Sequence, residues 1–179
     1  ILIVGGSQGA LSINEAVNEN LELFAMKNIQ LIWQTGKMYE AQANKSILEK
    51  LNGNKKKLIK VKAFISKMDL AYAAADLVIS RAGAIAISEL SAVGLPCIFV
   101  PLPTAAEDHQ THNAQALEKH NAGVHLVNSD AREKLGMLAI ELLSDDDKRS
   151  TLSTNIKKLA VTNSAEIIAE EILKMTNAE

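Results

Sequence analysis

Short apolar runs alternate with longer segments of helical periodicity along most of the chain. Most of these runs are rich in Ile, Leu and Val and are bounded by Gly, Asn, Asp or Pro, a pattern typical of strands buried on both faces of a parallel sheet. They occupy residues 1–4, 29–33, 58–64, 77–80, 97–100 and 124–127. The third run alternates apolar residues with lysine, so we predict that this strand lies near a sheet edge or exposes one face.

The segments between the runs space their apolar residues by three and four, as amphipathic helices do. We predict helices over residues 12–26, 38–51, 67–75, 85–92, 110–119 and 131–143. The second helix is expected to present one apolar stripe, formed by Ile47, Leu48 and Leu51. Two further helices, 145–160 and 165–175, follow one another without a strand between them. Ser144 is placed to cap the first of these two.

This alternation predicts an α/β fold: a Rossmann-like, doubly wound parallel sheet of six strands in the order 3-2-1-4-5-6, followed by two C-terminal helices. No internal repeat and no linker rich in Pro or Ser divides the 179 residues, so we predict one domain over residues 1–179. The triple-lysine stretch 52–57 is predicted to be a solvated turn. Ile1 already belongs to a strand, and we therefore expect a segment before it in the natural protein.

Composition and charge mainly exclude certain classes of protein and certain kinds of site. An apolar fraction of 47% and a charged fraction of 22% exclude a disordered or fibrous chain. The net charge of -2 argues against bulk binding of nucleic acid. The lone cysteine, Cys97, excludes an internal disulfide and a Cys-rich zinc site, and its apolar strand predicts an inert core thiol. The longest uncharged stretch, 90–106, contains Gly94 and every proline, so we predict no membrane-spanning helix.

The first motif with chemical meaning is GGSQGA at residues 5–10, between the first strand and the first helix. A doubly wound fold places a phosphate-binding turn at this position, where glycines allow a close backbone approach. The spacing is not G-x-G-x-x-G, and the second strand ends on Gln34 rather than on an acidic residue, which disfavours an NAD site. No Walker lysine follows the glycines. A tight turn without a ligand stays open as the alternative.

The second motif, SRAGAIAISE at residues 80–89, follows the fourth strand and opens a helix. Gly83 and Ala84 leave the helix N-terminus uncovered, so its free N–H groups can hold a phosphate. The Glu89 carboxylate suits a ribose diol because it accepts two O–H donors. The alternatives are a solvated Glu89 and, for Arg81, either a phosphate or a surface carboxylate as its partner.

The third motif is a proline-stiffened polar loop at residues 101–114, after the fifth strand. Asp108, His109 and His112 have a spacing that a metal could use, but no further ligand cluster accompanies them, so we expect no metal site. Sugar hydroxyls are a better match for His109 and Gln110. Strands one and four flank the topological switch point of the predicted sheet, so the loops after strands one, four and five face one crevice and together predict a nucleotide-sugar site. No Ser–His–acid or Cys–His pattern predicts a nucleophile.

At these motifs the sequence resembles the MurG family of GT-B glycosyltransferases, over nearly the whole chain. The resemblance rests on GGSQGA at 5–10, AFI at 63–65, SRAGA and SEL within 80–90, GLPCIFVPLP at 94–103 and DHQTHNA at 108–114. It implies the C-terminal half of a GT-B fold, which binds the donor UDP-GlcNAc. It also implies that the acceptor-binding N-terminal domain is absent from this chain. The implied enzyme is a hexosyltransferase that moves GlcNAc, with inversion, to the C4 hydroxyl of the lipid I muramyl sugar and forms lipid II in peptidoglycan synthesis.

The resemblance further implies roles for individual residues. The glycine loop and the N–H groups of Ala84, Ile85 and Ala86 would hold the diphosphate, and the Ile65 backbone would meet the uracil. Glu89 would hold the ribose, while His109 and Gln110 would contact GlcNAc; some family members carry Gln at the position of His109. The full expected set is Gly6, Ser7, Gln8, Gly9, Ile65, Arg81, Gly83, Ala84, Ile85, Ala86, Glu89, His109, Gln110 and Asn113. No catalytic residue, cofactor or obligatory metal is implied in this domain.

Partners and location follow from the same resemblance. UDP-GlcNAc is the expected ligand, and lipid I would bind only through the absent N-terminal domain; no nucleic acid is expected. The full-length protein would lie peripherally on the cytoplasmic face of the bacterial inner membrane, whereas this fragment is expected to be soluble and inactive alone. Two alternatives stay open: another UDP-sugar GT-B enzyme, such as a non-hydrolysing UDP-GlcNAc 2-epimerase, and a non-catalytic nucleotide-sugar-binding module.

Overall fold

A six-stranded, all-parallel sheet forms the centre of the molecule, in a computed structural model that describes residues 1–176. The strand order is β3-β2-β1-β4-β5-β6, which confirms the predicted topology, and β3 lies at an edge as its lysine alternation predicts. The strands are β1 Leu2–Val4, β2 Leu31–Gln34, β3 Ile59–Lys62, β4 Val78–Ser80, β5 Cys97–Phe99 and β6 Val124–His125.

Helices connect the strands and cover both faces of the sheet, as parallel pairing requires. They are α1 Leu11–Glu19, α2 Leu21–Met26, α3 Lys37–Lys50, α4 Met68–Ala73, α5 Ala84–Val93, α6 His109–Lys119, α7 Ala131–Ser144, α8 Asp146–Lys157 and α9 Ser164–Thr176. Short 3-10 turns lie at Gly53–Leu58, Ala106–Asp108 and Asn128–Asp130. Within the described residues, no helix is both long and apolar enough to cross a membrane.

Two apolar clusters form the core, one on each face of the sheet. The first contains Trp33 and Phe24 and is covered by α1, α2, α3 and α7. The second contains Phe99 and Leu90 together with residues of α6 and α8. Cys97 belongs to the second cluster and is fully buried, as predicted, and burial raises the pKa of its thiol.

The strand register brings the functional loops to one edge. Val4, the last residue of β1, pairs with Gln34 of β2 on one side and with Ser80 of β4 on the other. Ser80 in turn pairs with Phe99 of β5. Because all strands run in the same direction, the loops that follow them emerge side by side at the carboxyl edge of the sheet.

The prediction of one helix over 12–26 was wrong, because the chain forms two helices separated at Asn20. Asn20 has backbone angles of φ -96° and ψ 9°, and its side chain donates to the Ala16 carbonyl at 2.9 Å and the Arg132 carbonyl at 3.4 Å. The break lets Leu21 and Phe24 of α2 turn into the core. A side-chain bond to α7, more than 100 residues away, is a tertiary effect that periodicity does not contain.

Three local predictions also need correction. Leu48 is 64% exposed, so it does not belong to the buried stripe, which contains Ile47 in α3 and Leu51 directly after the helix. The cap of α8 is Asp145, whose carboxylate accepts the Lys148 N–H at 2.8 Å, whereas the Ser144 hydroxyl donates to the Ile140 carbonyl at 2.9 Å. The lysine stretch 52–57 is not simply solvated, since it folds largely into a 3-10 turn and Lys55 Nζ donates to Ala25 and Asn28 oxygens.

Candidate functional site

A cleft of about 890 Å³ lies at the carboxyl edge of the sheet, between the loops that follow β1, β3, β4 and β5. Most residues of the expected donor set line it: Gly6, Ser7, Gly9, Ile65, Arg81, Gly83, Ile85, Ala86, Glu89 and Gln110. The other four, Gln8, Ala84, His109 and Asn113, are not part of its lining. The structure therefore brings three motifs that are far apart in sequence into one concave site, as a ligand pocket requires.

The glycine loop is packed backbone to backbone against the turn between β2 and α3. Gly9 has φ +80°, and a Cβ there would lie 1.9 Å from the Thr35 carbonyl oxygen. Gly36 has φ +76°, and a Cβ there would lie 2.0 Å from the Gln8 carbonyl oxygen. Gly6, with φ +85°, has no neighbouring atom within 4 Å of a Cβ position. Gly9 and Gly36 thus fix the loop, while Gly6 leaves open space on its cleft side.

Buried amides hold this loop in place from below. The Gln34 side chain donates from Nε2 to the Gly6 carbonyl at 2.9 Å and accepts the Ile65 N–H on Oε1 at 2.8 Å. Asn14, on α1, donates to the Thr35 carbonyl at 2.8 Å and accepts Trp33 Nε1–H at 3.0 Å. Gln34 therefore ties the glycine loop to the segment after β3, and the Ile65 N–H is already engaged in this structure.

Arg81 lines the cleft, and its guanidinium holds loops together rather than pairing with a carboxylate. Its Nη1 donates to the carbonyls of Val100 and Pro101 at 3.0 and 2.8 Å and to Asn128 Oδ1 at 2.8 Å, and its Nη2 donates to Ser12 Oγ at 3.0 Å. Burial lowers the pKa of the guanidinium from its usual value. No ion pair of the residues described, 1–176, involves Arg81. Its cationic charge at the cleft floor is thus left without an acidic partner.

The N-terminus of α5 opens into the same cleft. Gly83 precedes the helix in an extended conformation, and no side chain caps the first turn. Ala84 and Ile85 are exposed, so small or outward-pointing side chains leave the first N–H groups of the helix accessible. Uncapped helix N–H groups carry partial positive charge and bind anions such as phosphate.

Glu89 lies on the cleft side of α5, and its side chain has one hydrogen-bond partner within residues 1–176. Tyr72, on α4, donates its hydroxyl to Glu89 Oε2 at 2.7 Å. Burial and the hydrogen bond to Glu89 raise the pKa of Tyr72 well above its ordinary value. Glu89 is thus exposed, as in the alternative interpretation, but one oxygen of its carboxylate is held at the cleft wall by this hydrogen bond.

The loop after β5 places the two candidate sugar-binding residues differently. Gln110 lines the cleft and accepts the Leu102 N–H on Oε1 at 3.0 Å, so its amide N–H groups are left to donate. His109 Nδ1 lies 2.7 Å from the Ala106 carbonyl oxygen, which can only accept, so this contact uses Nδ1 as a donor and leaves Nε2 for another partner. Asn113 donates to the Ala82 carbonyl at 3.1 Å and thus contacts the loop before α5. Within residues 1–176, no group of three or more His, Cys, Asp or Glu could hold a metal ion.

Several cleft residues were missed by the sequence analysis. The most informative are Tyr72, Ser12, Asn128, Phe64 and Met68. Gln34 was considered only as evidence against an NAD site, although a polar residue closing a buried strand at the carboxyl edge is itself a signal of a functional loop anchor. Tyr72 had no such signal, because its role depends on how α4 and α5 pack beside β4.

Comparison with known proteins shows that the chain resembles many glycosyltransferases. Residues 1–172 match the model of the glycosyltransferase family 28 C-terminal domain. A protein of Parabacteroides distasonis, named UDP-N-acetylglucosamine–N-acetylmuramyl-(pentapeptide) pyrophosphoryl-undecaprenol N-acetylglucosamine transferase, is 45% identical over 98% of this chain and 46% of its own length. A Bacteroides thetaiotaomicron protein of the same name is 47% identical over 100% of this chain and 48% of its own length. The chain thus spans about half the length of the curated relatives it matches.

Solved structures agree with these matches. The crystal structure of Acinetobacter baumannii MurG superposes with a TM-score of 0.81 at 30% identity, covering 97% of this chain and 49% of that one. A UDP-N-acetylglucosamine 2-epimerase superposes with a TM-score of 0.63 at 14% identity, covering 99% of this chain and 43% of that one. The second likeness shows the fold alone.

Proposed function

Because the chain belongs to the glycosyltransferase family 28 C-terminal domain family, we propose that it is the donor-binding half of an N-acetylglucosaminyltransferase that uses UDP-GlcNAc. The observation that carries this proposal is the convergence of three groups in one cleft. These are the open glycine loop at Gly6, the uncapped N-terminus of α5 and the anchored carboxylate of Glu89. N–H groups that can bind a phosphate lie beside a carboxylate that can accept hydrogen bonds from a diol. This combination matches the diphosphate and the ribose of a nucleoside diphosphate.

Each part of the donor has a proposed place in the cleft. The diphosphate lies against Ser7 and the glycine loop and against the first turn of α5, with the Arg81 charge beneath it. The ribose hydroxyls donate to Glu89, and the uracil lies near the backbone of Ile65. GlcNAc extends toward Gln110 and His109. Gln8 belongs to the same glycine loop and Ala84 to the same first turn of α5, while Asn113 holds the loop before α5 by donating to the Ala82 carbonyl.

The proposed chemistry of this half is stabilisation of the leaving group. In the whole protein, the C4 hydroxyl oxygen of the lipid I muramyl sugar forms a bond to the anomeric carbon of GlcNAc while the bond from that carbon to the phosphate oxygen breaks. UDP leaves with the bonding electrons, and the hydroxyl proton goes to a base outside this domain. Backbone N–H groups aimed at the developing phosphate charge lower the barrier to this step.

The acceptor side of the reaction is part of the same proposal. Lipid I binds to the other half of the whole protein, which lies peripherally on the cytoplasmic face of the membrane, and the product is lipid II. The proposal needs no bound metal, since helix N–H groups and the Arg81 charge supply the positive potential. An epimerase on the same architecture is less well supported, because the likeness to that enzyme is one of fold.

Calorimetry with the 179-residue chain tests donor binding. UDP-GlcNAc should give saturable binding, whereas ADP-glucose and NAD should bind at least about tenfold more weakly. Glu89→Ala should weaken UDP-GlcNAc about tenfold, the effect of losing hydrogen bonds to one charged acceptor. Glu141→Ala, on the exposed surface of α7, is the matched control and should leave the affinity unchanged. An equal response to all three ligands would refute the proposal.

A further inference from the structure

We propose that Tyr72 is a positioning residue: its hydroxyl orients the Glu89 carboxylate so that both ribose hydroxyls can donate to it. This inference rests on the proposed function, because it assigns a role to the contact between α4 and α5 at the ribose end of the same cleft. Both side chains line the cleft, and they meet at 2.7 Å between Tyr72 Oη and Glu89 Oε2.

The two partners differ in freedom of movement. Tyr72 packs against the second apolar cluster, and an aromatic side chain has only two rotatable bonds, so its hydroxyl is held at a defined point. Glu89 is an exposed glutamate, a side-chain type that loses much rotamer freedom when it is ordered. Within residues 1–176 it forms no ion pair that would hold it otherwise. Anchoring by Tyr72 therefore orders Glu89 before the ligand arrives, which strengthens binding.

The hydrogen-bonding capacity of the carboxylate allows both contacts. An ionised carboxylate has about four lone-pair sites on its two oxygens. The Tyr72 hydroxyl uses one site on Oε2, which leaves the second site on Oε2 and both sites on Oε1. Two ribose hydroxyls need only two of them. Tyr72 thus fixes the carboxylate without competing with the diol.

The direction of the hydrogen bond is set by the surroundings of Tyr72. Burial and the neighbouring carboxylate raise the pKa of the phenol, so it stays protonated and donates at neutral pH. A phenylalanine at this position keeps the ring packing against the cluster and removes only the donor. Tyr72→Phe is therefore a narrow test of the hydroxyl.

The test compares UDP with 2′,3′-dideoxy-UDP, which lacks both ribose hydroxyls, by calorimetry on the 179-residue chain. Tyr72→Phe should weaken UDP about three- to tenfold, the effect of one lost bond to a charged group, and change 2′,3′-dideoxy-UDP less than about twofold. Tyr39→Phe is the matched control, since Tyr39 is buried in the first cluster and is not part of the cleft lining. It should change neither ligand, and all variants should melt within about 2 °C of the parent chain.

The same substitution made in the Glu89→Ala variant distinguishes a positioning role of Tyr72 from direct contact with the ligand. In Glu89→Ala, which removes the carboxylate, adding Tyr72→Phe should change UDP affinity less than about 1.5-fold, because the two effects act through one group. Equal weakening of both ligands by Tyr72→Phe, or a full further loss in the Glu89→Ala background, would overturn the inference while leaving donor binding intact. If the parent chain does not prefer UDP to its dideoxy analogue, the proposed ribose site fails, and the role of Tyr72 fails with it.

Discussion

Arg81 offers the sharpest test of how the cleft is held together. Its guanidinium joins three parts of the chain that are distant in sequence: Ser12 at the start of α1, the Val100 and Pro101 carbonyls after β5, and Asn128 before α7. Replacing Arg81 with Met keeps much of the aliphatic length and removes every donor. The Val100 side chain is fully buried, so its carbonyl would then lose its hydrogen-bond donor in an apolar region.

The expected loss of stability follows from these contacts. Nη1 carries two hydrogens for three acceptors and Nη2 supplies one more bond, so about three full hydrogen bonds are lost. Bonds to a charged group contribute about 1.5–3 kcal/mol each, but desolvation of the guanidinium offsets part of that sum. We therefore expect Arg81→Met to lower the free energy of unfolding by about 3 kcal/mol, or the melting temperature by about 6–12 °C.

Urea unfolding followed by circular dichroism measures this loss, with Arg132→Met as the control. Arg132 is half-exposed and pairs with Glu15 at 2.9 Å and Glu19 at 3.4 Å, and such surface pairs contribute below about 1 kcal/mol. Arg81→Lys keeps the charge but not the planar fork, so it should recover less than half of the loss. If Arg81→Met destabilises the chain no more than Arg132→Met does, the network does not hold the loops.

Three further predictions concern other local features. In urea unfolding, Gly9→Ala should destabilise the chain by more than about 3 kcal/mol, because its Cβ would lie 1.9 Å from a backbone oxygen. Gly53→Ala is the control: Gly53 has φ +53° and no neighbour within 4 Å, so the substitution should cost only about 1–2 kcal/mol. Asp145→Ala should cost about 1 kcal/mol by removing the cap of α8, whereas Ser144→Ala should cost less than about 0.5 kcal/mol; an equal loss in both would contradict the assignment of the cap. Cys97 should resist a thiol reagent such as DTNB in the folded chain and react fully in denaturant, because burial raises the pKa of its thiol; rapid labelling of the folded chain would show that the second cluster opens.

The sheet was predictable because most of its strands are buried on both faces and are therefore apolar, while the edge strand β3 alternates apolar residues with lysine. The strand order followed from the alternation and from the place of the glycine motif, and each predicted run contains the strand observed or overlaps it. Boundaries were less certain: the third run was predicted over 58–64, whereas β3 covers Ile59–Lys62. The break at Asn20 was not predictable, because it depends on a carbonyl of α7 that reaches Asn20 only in the folded chain.

The cleft shows the same division between local and tertiary information. Gly9, Gly83 and Glu89 could be chosen from sequence because each acts through its own backbone conformation or its place on one helix. Tyr72, Gln34 and Arg81 act by joining segments that are 17 to 69 residues apart, so no window of the sequence contains both partners. These three residues determine whether the glycine loop, the N-terminus of α5 and the Glu89 carboxylate lie close enough together to contact one ligand. Substitutions at Tyr72, Gln34 and Arg81 should therefore change affinity through the position of a neighbour, and double-mutant cycles are the measurement that separates that effect from direct contact.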